Sequence, residues 1–195
     1  MQMKLLAPLA APLAALALLG GCVSFGAKAP PTLFDLTAES PAPAGAGQSG
    51  TLASALMVQV PEAPLALNVT RVPVQIDASN LAYVKDAGWV ERPARLMQRL
   101  LAETIRAKGS RLVLESEPGT GASEVLSGRL LAMGFDAQSN MAVVRFDAMR
   151  TSKGGQVQVR RFEATQAASA KAEVLGPALN RAANDVARQV AEWVG

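Results

Sequence analysis

Histidine is absent from the 195-residue sequence, and cysteine occurs only once. Without histidine the chain cannot build a Ser-His-Asp or Cys-His nucleophile, an imidazole general base or a His-ligated metal site. A single thiol cannot close an intramolecular disulfide or supply a cysteine cluster for zinc or iron–sulfur. We therefore expect no catalytic residues, no metal and no other cofactor, and Cys22 needs a different explanation.

Charge and aromatic content are also low. Charged residues make up 18% of the chain and aromatic residues 4%, and 19 Lys and Arg against 16 Asp and Glu give a net charge of +3. The longest basic run is Arg160–Arg161. Nucleic-acid binding needs a clustered basic face with aromatic or base-reading partners, so we expect no nucleic-acid partner. The 50% hydrophobic content is typical of a folded core.

Residues 1–21 are predicted to be a lipoprotein signal peptide. Lys4 precedes an apolar stretch, Leu5–Leu19, that is shorter than the roughly 20 residues a membrane-spanning helix needs. The stretch ends in Leu19-Gly20-Gly21-Cys22, which resembles the bacterial lipobox. Small side chains before the cysteine leave room for lipid transfer to the thiol and for cleavage of the chain. We expect lipidation of Cys22; the alternative is an ordinary signal peptide followed by an unrelated cysteine.

A lipid on Cys22 would tether the mature chain to a membrane. One acyl chain binds a bilayer only marginally, whereas the two or three of a bacterial lipoprotein hold it stably. Val23 stands after the cysteine in place of an Asp. The resemblance to sorted lipoproteins therefore predicts the periplasmic face of the outer membrane as the location.

The mature chain is predicted to contain a tether and one domain. Residues 22–51 form the lipid-anchored tether, with a short strand at Leu33–Thr37 and a linker rich in Pro, Gly and Ala. Residues 52–195 form the domain. Its first extended segments are expected at Ala55–Val60, Leu65–Val74 and Leu81–Val84, with Pro61 and Pro64 marking bends or sheet edges.

Two amphipathic helices and four further strands complete the prediction. Pro93 suits the first turn of one helix and Gly109 its end, and a second helix is expected over Pro177–Val194. Strands are expected at Arg111–Ser116, Glu124–Asp136, Met141–Thr151 and Gln156–Gln166, joined as an antiparallel meander. The predicted fold class is α+β, a mostly antiparallel sheet with two amphipathic helices packed on one face.

An ordered series of motifs carries a family resemblance. A lipobox and a short FDL strand are followed by a Pro-rich gap, and further elements occur at Val58–Val72, Tyr83, Trp89, Arg92–Leu101 and Ala191–Val194. Their order and spacing resemble the ABC-type transport auxiliary lipoproteins over almost the whole mature chain. One departure is Val90-Glu91-Arg92, where relatives more often have a small residue and an acidic residue after the Trp.

The resemblance implies a non-enzymatic partner of an MCE-type lipid transport system. Members of this family are associated with an ABC permease, its ATPase and a periplasmic MCE-domain protein, and they help to carry phospholipid between the two membranes. The chain itself has no Gly-x-x-x-x-Gly-Lys-Ser/Thr motif for ATP. A homo-oligomer in the form of a ring is also implied, because an MCE conduit is itself a ring.

Tyr83 and Trp89 are the candidate partner-binding residues. Aromatic residues dominate binding hot spots, and both precede the start of the first helix. The alternative is that they pack between helix and sheet as part of the core, which is also the expected role of Trp193. Met97, Met133, Met141 and Met149 could line an adaptable lipid-contacting groove or could fill the core.

Two other function classes are weighed. One is an outer-membrane structural or assembly lipoprotein without a link to transport. The other is an envelope hydrolase with a Ser–Lys pair, which is disfavoured because the sequence has no S-x-x-K or G-x-S-x-G arrangement.

Overall fold

A computed structural model describes residues 32–109, 111–115 and 122–195. The predicted signal peptide and Cys22 lie outside these described residues. The strands are β1 (Thr32–Phe34), β2 (Leu56–Val58), β3 (Arg71–Gln75), β4 (Leu81–Trp89), β5 (Val113–Glu115), β6 (Glu124–Asp136), β7 (Met141–Ser152) and β8 (Val157–Ala167). The α-helices are α1 (Pro93–Ala107) and α2 (Ala172–Val194), and single-turn 3₁₀ helices form at Leu52–Ser54 and Leu65–Leu67.

The eight strands form one sheet around β6. On one side β6 pairs antiparallel with β7 along its length, and β7 pairs antiparallel with β8. On the other side β6 pairs in parallel with β2 near its start and with β3 near its end. β5 joins β2 in parallel, β4 joins β3 antiparallel, and β1 joins β4 in parallel. The long pairings are antiparallel, so the predicted α+β class with a mostly antiparallel sheet is confirmed.

Alternating side chains explain the apolar face of the β6–β7–β8 meander. Ala142, Val144, Phe146 and Ala148 of β7 are buried, whereas the residues between them remain partly exposed. A β-bulge between Leu130 and Ala132 of β6 inserts one residue. Because of this insertion, Met133 stays on the buried face that Leu130 also occupies. The alternation of side chains along the strands and the bulge in β6 together give this part of the sheet one continuous apolar face.

The helices cover buried parts of this sheet. α2 packs against β7, β8 and α1, and its Trp193 ring lies 5.7 Å from the ring of Phe162 on β8. α1 packs against β2 and β5, and the buried Gln98 amide donates a hydrogen bond to the carbonyl of Val58 at 2.9 Å. α1 ends as predicted before Gly109, which has a φ of 69° that favours glycine. Neither helix has the length and apolar character that a bilayer crossing requires, within the described residues.

Two predicted extended segments are shorter in the structure. The segment Leu65–Val74 begins with the 3₁₀ helix Leu65–Leu67 and becomes a strand at Arg71, and the first strand, predicted at Leu33–Thr37, is Thr32–Phe34.

Three other predicted elements need correction. α2 begins at Ala172 and carries Pro177 inside it, because burial of Leu175 in the core extends the helix backward. β4 continues to Trp89, beyond the short extended piece that was predicted. The strand predicted at Arg111–Ser116 does not belong to an antiparallel meander, since β5 pairs in parallel with β2. The other three strands of that prediction do form a meander.

The predicted linker contains no helix or strand, as expected, but its backbone is held by polar side chains. Just before the linker, the backbone N–H of Thr37 bonds to Asn180, and within it the N–H of Glu39 bonds to the buried Asn184. Further along, the N–H of Ala42 bonds to Glu103 of α1 at 2.8 Å. This segment therefore lies along both helices. The domain boundary at residue 52 stays a prediction.

Candidate functional site

A groove of about 430 Å³ lies on the face of the sheet opposite α2, and we call it the outer groove. Phe146 and Phe162, on the side of α2, alternate along β7 and β8 with the residues that line it. The 3₁₀ helix Leu65–Leu67 and the β3–β4 hairpin form one wall, β6 forms the floor, and β7 and β8 form the other wall. Its lining includes Pro64, Ala66, Leu81, Leu131, Val143 and Thr165.

The groove exists because two strands join the same side of β6 at opposite ends. Val58 of β2 is paired with Leu126, whereas Val74 of β3 is paired with Phe135. Among the described residues no strand pairs with β6 between these two points on that side, apart from the bridge between Glu62 and Arg129. The extra residue of the bulge, Leu131, lines the resulting gap.

An ion pair occupies the β7–β8 wall. Glu163 accepts two hydrogen bonds from Arg145, at 2.5 Å from Nε and 3.1 Å from Nη2. These hydrogen bonds lower the pKa of the Glu163 carboxyl, against the opposing effect of burial, and they raise the pKa of Arg145. The pair is therefore charged at neutral pH, and the two side chains neutralise each other.

The other carboxylate of the lining also has a structural role. Oδ1 of Asp136 accepts hydrogen bonds from the backbone N–H groups of Gln138 and Ser139, at 2.9 and 3.1 Å. It thus caps the turn between β6 and β7. With both lining carboxylates engaged in this way, what the groove offers a ligand is chiefly apolar contact.

Tyr83 supports the wall of the groove. Its half-buried side chain donates a hydrogen bond of 3.4 Å to the carbonyl of Ala66, which itself lines the groove. On the other side, the guanidinium carbon of Arg71 lies 3.8 Å from the centre of the Tyr83 ring. The structure therefore places Tyr83 beside the groove, partly accessible to a partner.

Trp89 lies in the core. Only 2% of the residue is exposed, and its ring packs edge-on against Phe34 with 5.7 Å between ring centres. Of the two alternatives for this residue, packing between sheet and helix is the one the structure shows. The sequence alone does not show which of the two aromatic residues is buried. Tyr83 and Trp89 both lie on β4, and an irregularity in the β3–β4 pairing between them interrupts the regular alternation of side chains.

The structure adds residues that the sequence did not single out. Leu65 is 86% exposed and lies in the 3₁₀ helix between Pro64 and Ala66, which line the outer groove, whereas Leu65 itself is not part of that lining. A large apolar residue beside Pro61 and Pro64 was the available signal, but only the fold brings it near β6. Among the methionines, Met97 and Met133 are buried in the core, Met141 lines the groove, and Met149 is partly exposed. Cys22 lies outside the described residues.

Comparison with known proteins gives one family and a shared fold. A family model described as the ABC-type transport auxiliary lipoprotein component matches residues 34–191. The crystal structure of an uncharacterized protein is similar with a TM-score of 0.69 at 11% identity, covering 86% of this chain and 100% of that one. A DUF330 protein from Xanthomonas campestris is similar with a TM-score of 0.66 at 16% identity, covering 86% and 93%. No curated protein matches the chain.

Proposed function

Because the chain belongs to the family of ABC-type transport auxiliary lipoprotein components, we propose that it is a non-enzymatic docking component of an MCE-type ABC system that carries phospholipid between the inner and outer membranes. The match over residues 34–191 carries this proposal, since it extends from the end of β1 into the last turns of α2. The chain has no ATP-binding motif of its own, so the energy would come from the ATPase of the system.

In this proposal Cys22 is the lipid anchor, and the domain works at the periplasmic face of the outer membrane. The lipobox-like sequence before Cys22 and Val23 after it support this placement. The chain from Cys22 to Thr32, where β1 begins, spans at most roughly 35 Å when fully extended. An anchored domain would therefore meet its partner close to the membrane.

The outer groove is the proposed contact with the periplasmic MCE protein, and an apolar segment of that protein is the proposed occupant. The groove is lined largely by apolar side chains, and its Arg145–Glu163 pair is neutral as a unit. Leu65, 86% exposed, lies beside the groove next to the lining residue Ala66, and Tyr83 supports the wall through that same Ala66. A groove with a contiguous, mainly apolar lining is the kind of surface that marks an interaction site.

Identification of the proteins held by the full chain tests the proposed function. The chain carries a C-terminal affinity tag, is cross-linked in intact cells and is isolated from membranes. We expect the MCE protein, the permease and the ATPase, encoded by neighbouring genes, to be enriched. Enrichment of β-barrel assembly or cell-wall proteins in their place would contradict the transport role and would favour a structural or assembly lipoprotein.

A further inference from the structure

One end of the sheet carries almost no charge, and we call it the low-charge end. It consists of the β3–β4 turn at Ile76–Asn80, the β6–β7 turn at Ala137–Asn140, and Ala168–Ala170 after β8. Backbone hydrogen bonds connect these segments. The second donates to the carbonyl of Gln75, at the base of the first, at 2.9 Å, and the third donates to the second at 3.1 Å. The three segments therefore form one surface.

Asp77 is the only charged residue in the low-charge end, and the others are Ile, Ala, Ser, Asn and Gln. Its carboxylate accepts hydrogen bonds from the backbone N–H groups of Ser79 and Asn80, at 2.8 and 2.9 Å. At the opposite end of the sheet, Glu124 begins β6 and Lys153 lies in the β7–β8 turn. Covering a charge costs more free energy than covering a small polar or apolar side chain. The low-charge end is therefore the end that a layer of lipid headgroups can cover more easily.

Two exposed apolar side chains lie at the low-charge end. Ile76, in the β3–β4 turn, is 44% exposed, and Leu81, which begins β4 directly after that turn, is 42% exposed. Val157 at the opposite end is 55% exposed, but it lies between Lys153 and Arg160 in the sequence. Exposed apolar side chains thus occur at both ends, and only at the low-charge end are basic side chains absent around them.

The direction of β1 connects the low-charge end with the proposed lipid on Cys22. β1 pairs in parallel with β4, with Thr32 opposite Ala87, so β1 starts on the side of β4 that faces Leu81. Along β4, Leu81 lies about 20 Å from Ala87 at the rise of an extended strand. The chain between Cys22 and Thr32 spans up to roughly 35 Å. A lipid on Cys22 can therefore reach the level of the low-charge end.

We propose that the low-charge end rests on a bilayer of zwitterionic phospholipid, with Ile76 and Leu81 in contact with the lipid headgroups. This inference rests on the proposed anchor at Cys22 but not on the proposed MCE contact. Two half-exposed apolar side chains are too few to bind a domain to a bilayer by themselves, so the contact orients a domain that the lipid already holds. The long strands β6, β7 and β8 then stand upright on the membrane. The outer groove, which Leu81 also lines, lies beside the bilayer on the outer face of the sheet.

Fluorescence quenching of the full acylated chain in vesicles tests this orientation. Ile76→Cys and Ser139→Cys place a nitrobenzoxadiazole label at the low-charge end, and Val157→Cys and Lys153→Cys place it at the opposite end. All four positions are solvent-exposed. Acylation occupies the sulfur of Cys22, the only cysteine of the chain, so the introduced thiol alone is labelled. The vesicles consist of phosphatidylethanolamine and phosphatidylcholine, and part of the phosphatidylcholine carries a nitroxide quencher on its headgroup.

We expect the nitroxide to reduce the fluorescence at least about twofold at positions 76 and 139, and by less than about a tenth at positions 153 and 157. A second substitution tests the apolar contact itself. Ile76→Asp should reduce the quenching of a label at position 139, because a carboxylate resists transfer into the headgroup layer. Val157→Asp, at an apolar residue of similar exposure, should leave that quenching unchanged.

Flotation with the vesicles and thermal unfolding check that each labelled variant is anchored and folded. Equal quenching at both ends of a chain that floats, including none at either end, would overturn the proposed orientation and leave the MCE contact untouched. Quenching at position 139 that Ile76→Asp does not change would overturn the role of Ile76. A wild-type chain that does not float would overturn the anchor at Cys22, and this inference with it.

Discussion

The side-chain amide of Asn184 on α2 holds the backbone of Glu39, whose N–H donates to Asn184 Oδ1 at 2.9 Å. The amide nitrogen of Asn184 also donates to the carbonyl of Thr37 at 2.9 Å. The buried Asn184 side chain thus bonds both the N–H of Glu39 and the C=O of Thr37, in a backbone segment that does not pair with a strand. This contact fastens the chain that follows β1 to the domain.

Replacement of Asn184 by alanine should therefore loosen this segment. We expect the free energy of unfolding in urea to fall by about 1–3 kcal/mol, because the two part-buried hydrogen bonds that Asn184 makes to the backbone of Thr37 and Glu39 are lost. Asn180→Ala, which removes a more exposed hydrogen bond to Thr37, should cost less. Hydrogen exchange of the Glu39 amide should accelerate in Asn184→Ala, and unchanged exchange there would contradict the assigned contact.

Gly134 on β6 should tolerate no side chain. A Cβ at this position would lie 2.3 Å from the carbonyl oxygen of Pro73 on β3, where the two strands converge. We expect Gly134→Ala to lower the free energy of unfolding by roughly 1–3 kcal/mol, since backbone must shift to accommodate it. A Cβ at Gly154, in the β7–β8 turn, would meet no atom within 4 Å. Gly154→Ala should change stability by less than about 0.5 kcal/mol in the same urea experiment.

Stability should be flat near neutral pH and fall in acid. Burial raises the pKa of Glu124, but hydrogen bonds from Arg150 and Arg111 and the charges of both lower it further, so the folded-state pKa lies below its usual value. Such a group stabilises the fold above its unfolded pKa of about 4.3, and this contribution is lost as pH falls through the folded pKa. With no histidine in the chain, no side chain with an ordinary pKa titrates between pH 6 and 8.

Urea unfolding across pH checks this expectation. Glu124→Gln should be about 1–3 kcal/mol less stable at pH 7, because two arginines lose a charged acceptor, and its decline below pH 4.5 should be shallower. A wild-type curve that already falls between pH 8 and 6, or an equally steep acid decline in Glu124→Gln, would contradict the role of this carboxylate.

The predicted anchor is tested by replacing one atom. Cys22→Ala removes the sulfur to which the lipid would attach, so we expect the chain to leave the membrane fraction or to be misrouted while its domain stays folded. Mass spectrometry of the native protein should show an N-terminal Cys22 with acyl chains. An unmodified thiol, or a variant that still fractionates with the outer membrane, would speak against the anchor.

Strong local signals explain what the sequence predicted well. The bounds of β6 were predicted as Glu124–Asp136 because alternating apolar residues end at turn residues on either side. α1 was predicted because Pro93 and Gly109 mark its ends. Pro177 misled the prediction of α2, since a proline typical of a helix start lies inside this helix, and the burial of Leu175 that extends it is a tertiary effect.

The outer groove could not be predicted in the same way. It depends on β2 and β3 joining opposite ends of β6, on a bulge at Leu131, and on a 3₁₀ helix that brings Ala66 beside them. These residues are far apart in the sequence, and parallel pairing of short strands leaves little local pattern. Tyr83 was identified from its residue type and its position before the first helix, whereas its hydrogen bond to Ala66 required the fold.

Equilibrium binding of the full chain to the purified MCE protein encoded beside it tests the docking role most directly. The account predicts that the wild-type chain binds and that Leu65→Asp, at a residue 86% exposed beside the groove and next to the lining residues Pro64 and Ala66, weakens binding at least about tenfold without loss of stability. Val174→Asp, at an exposed valine in the first turn of α2, should bind as the wild type does. No binding by the wild type, or equal binding by Leu65→Asp, would contradict the account.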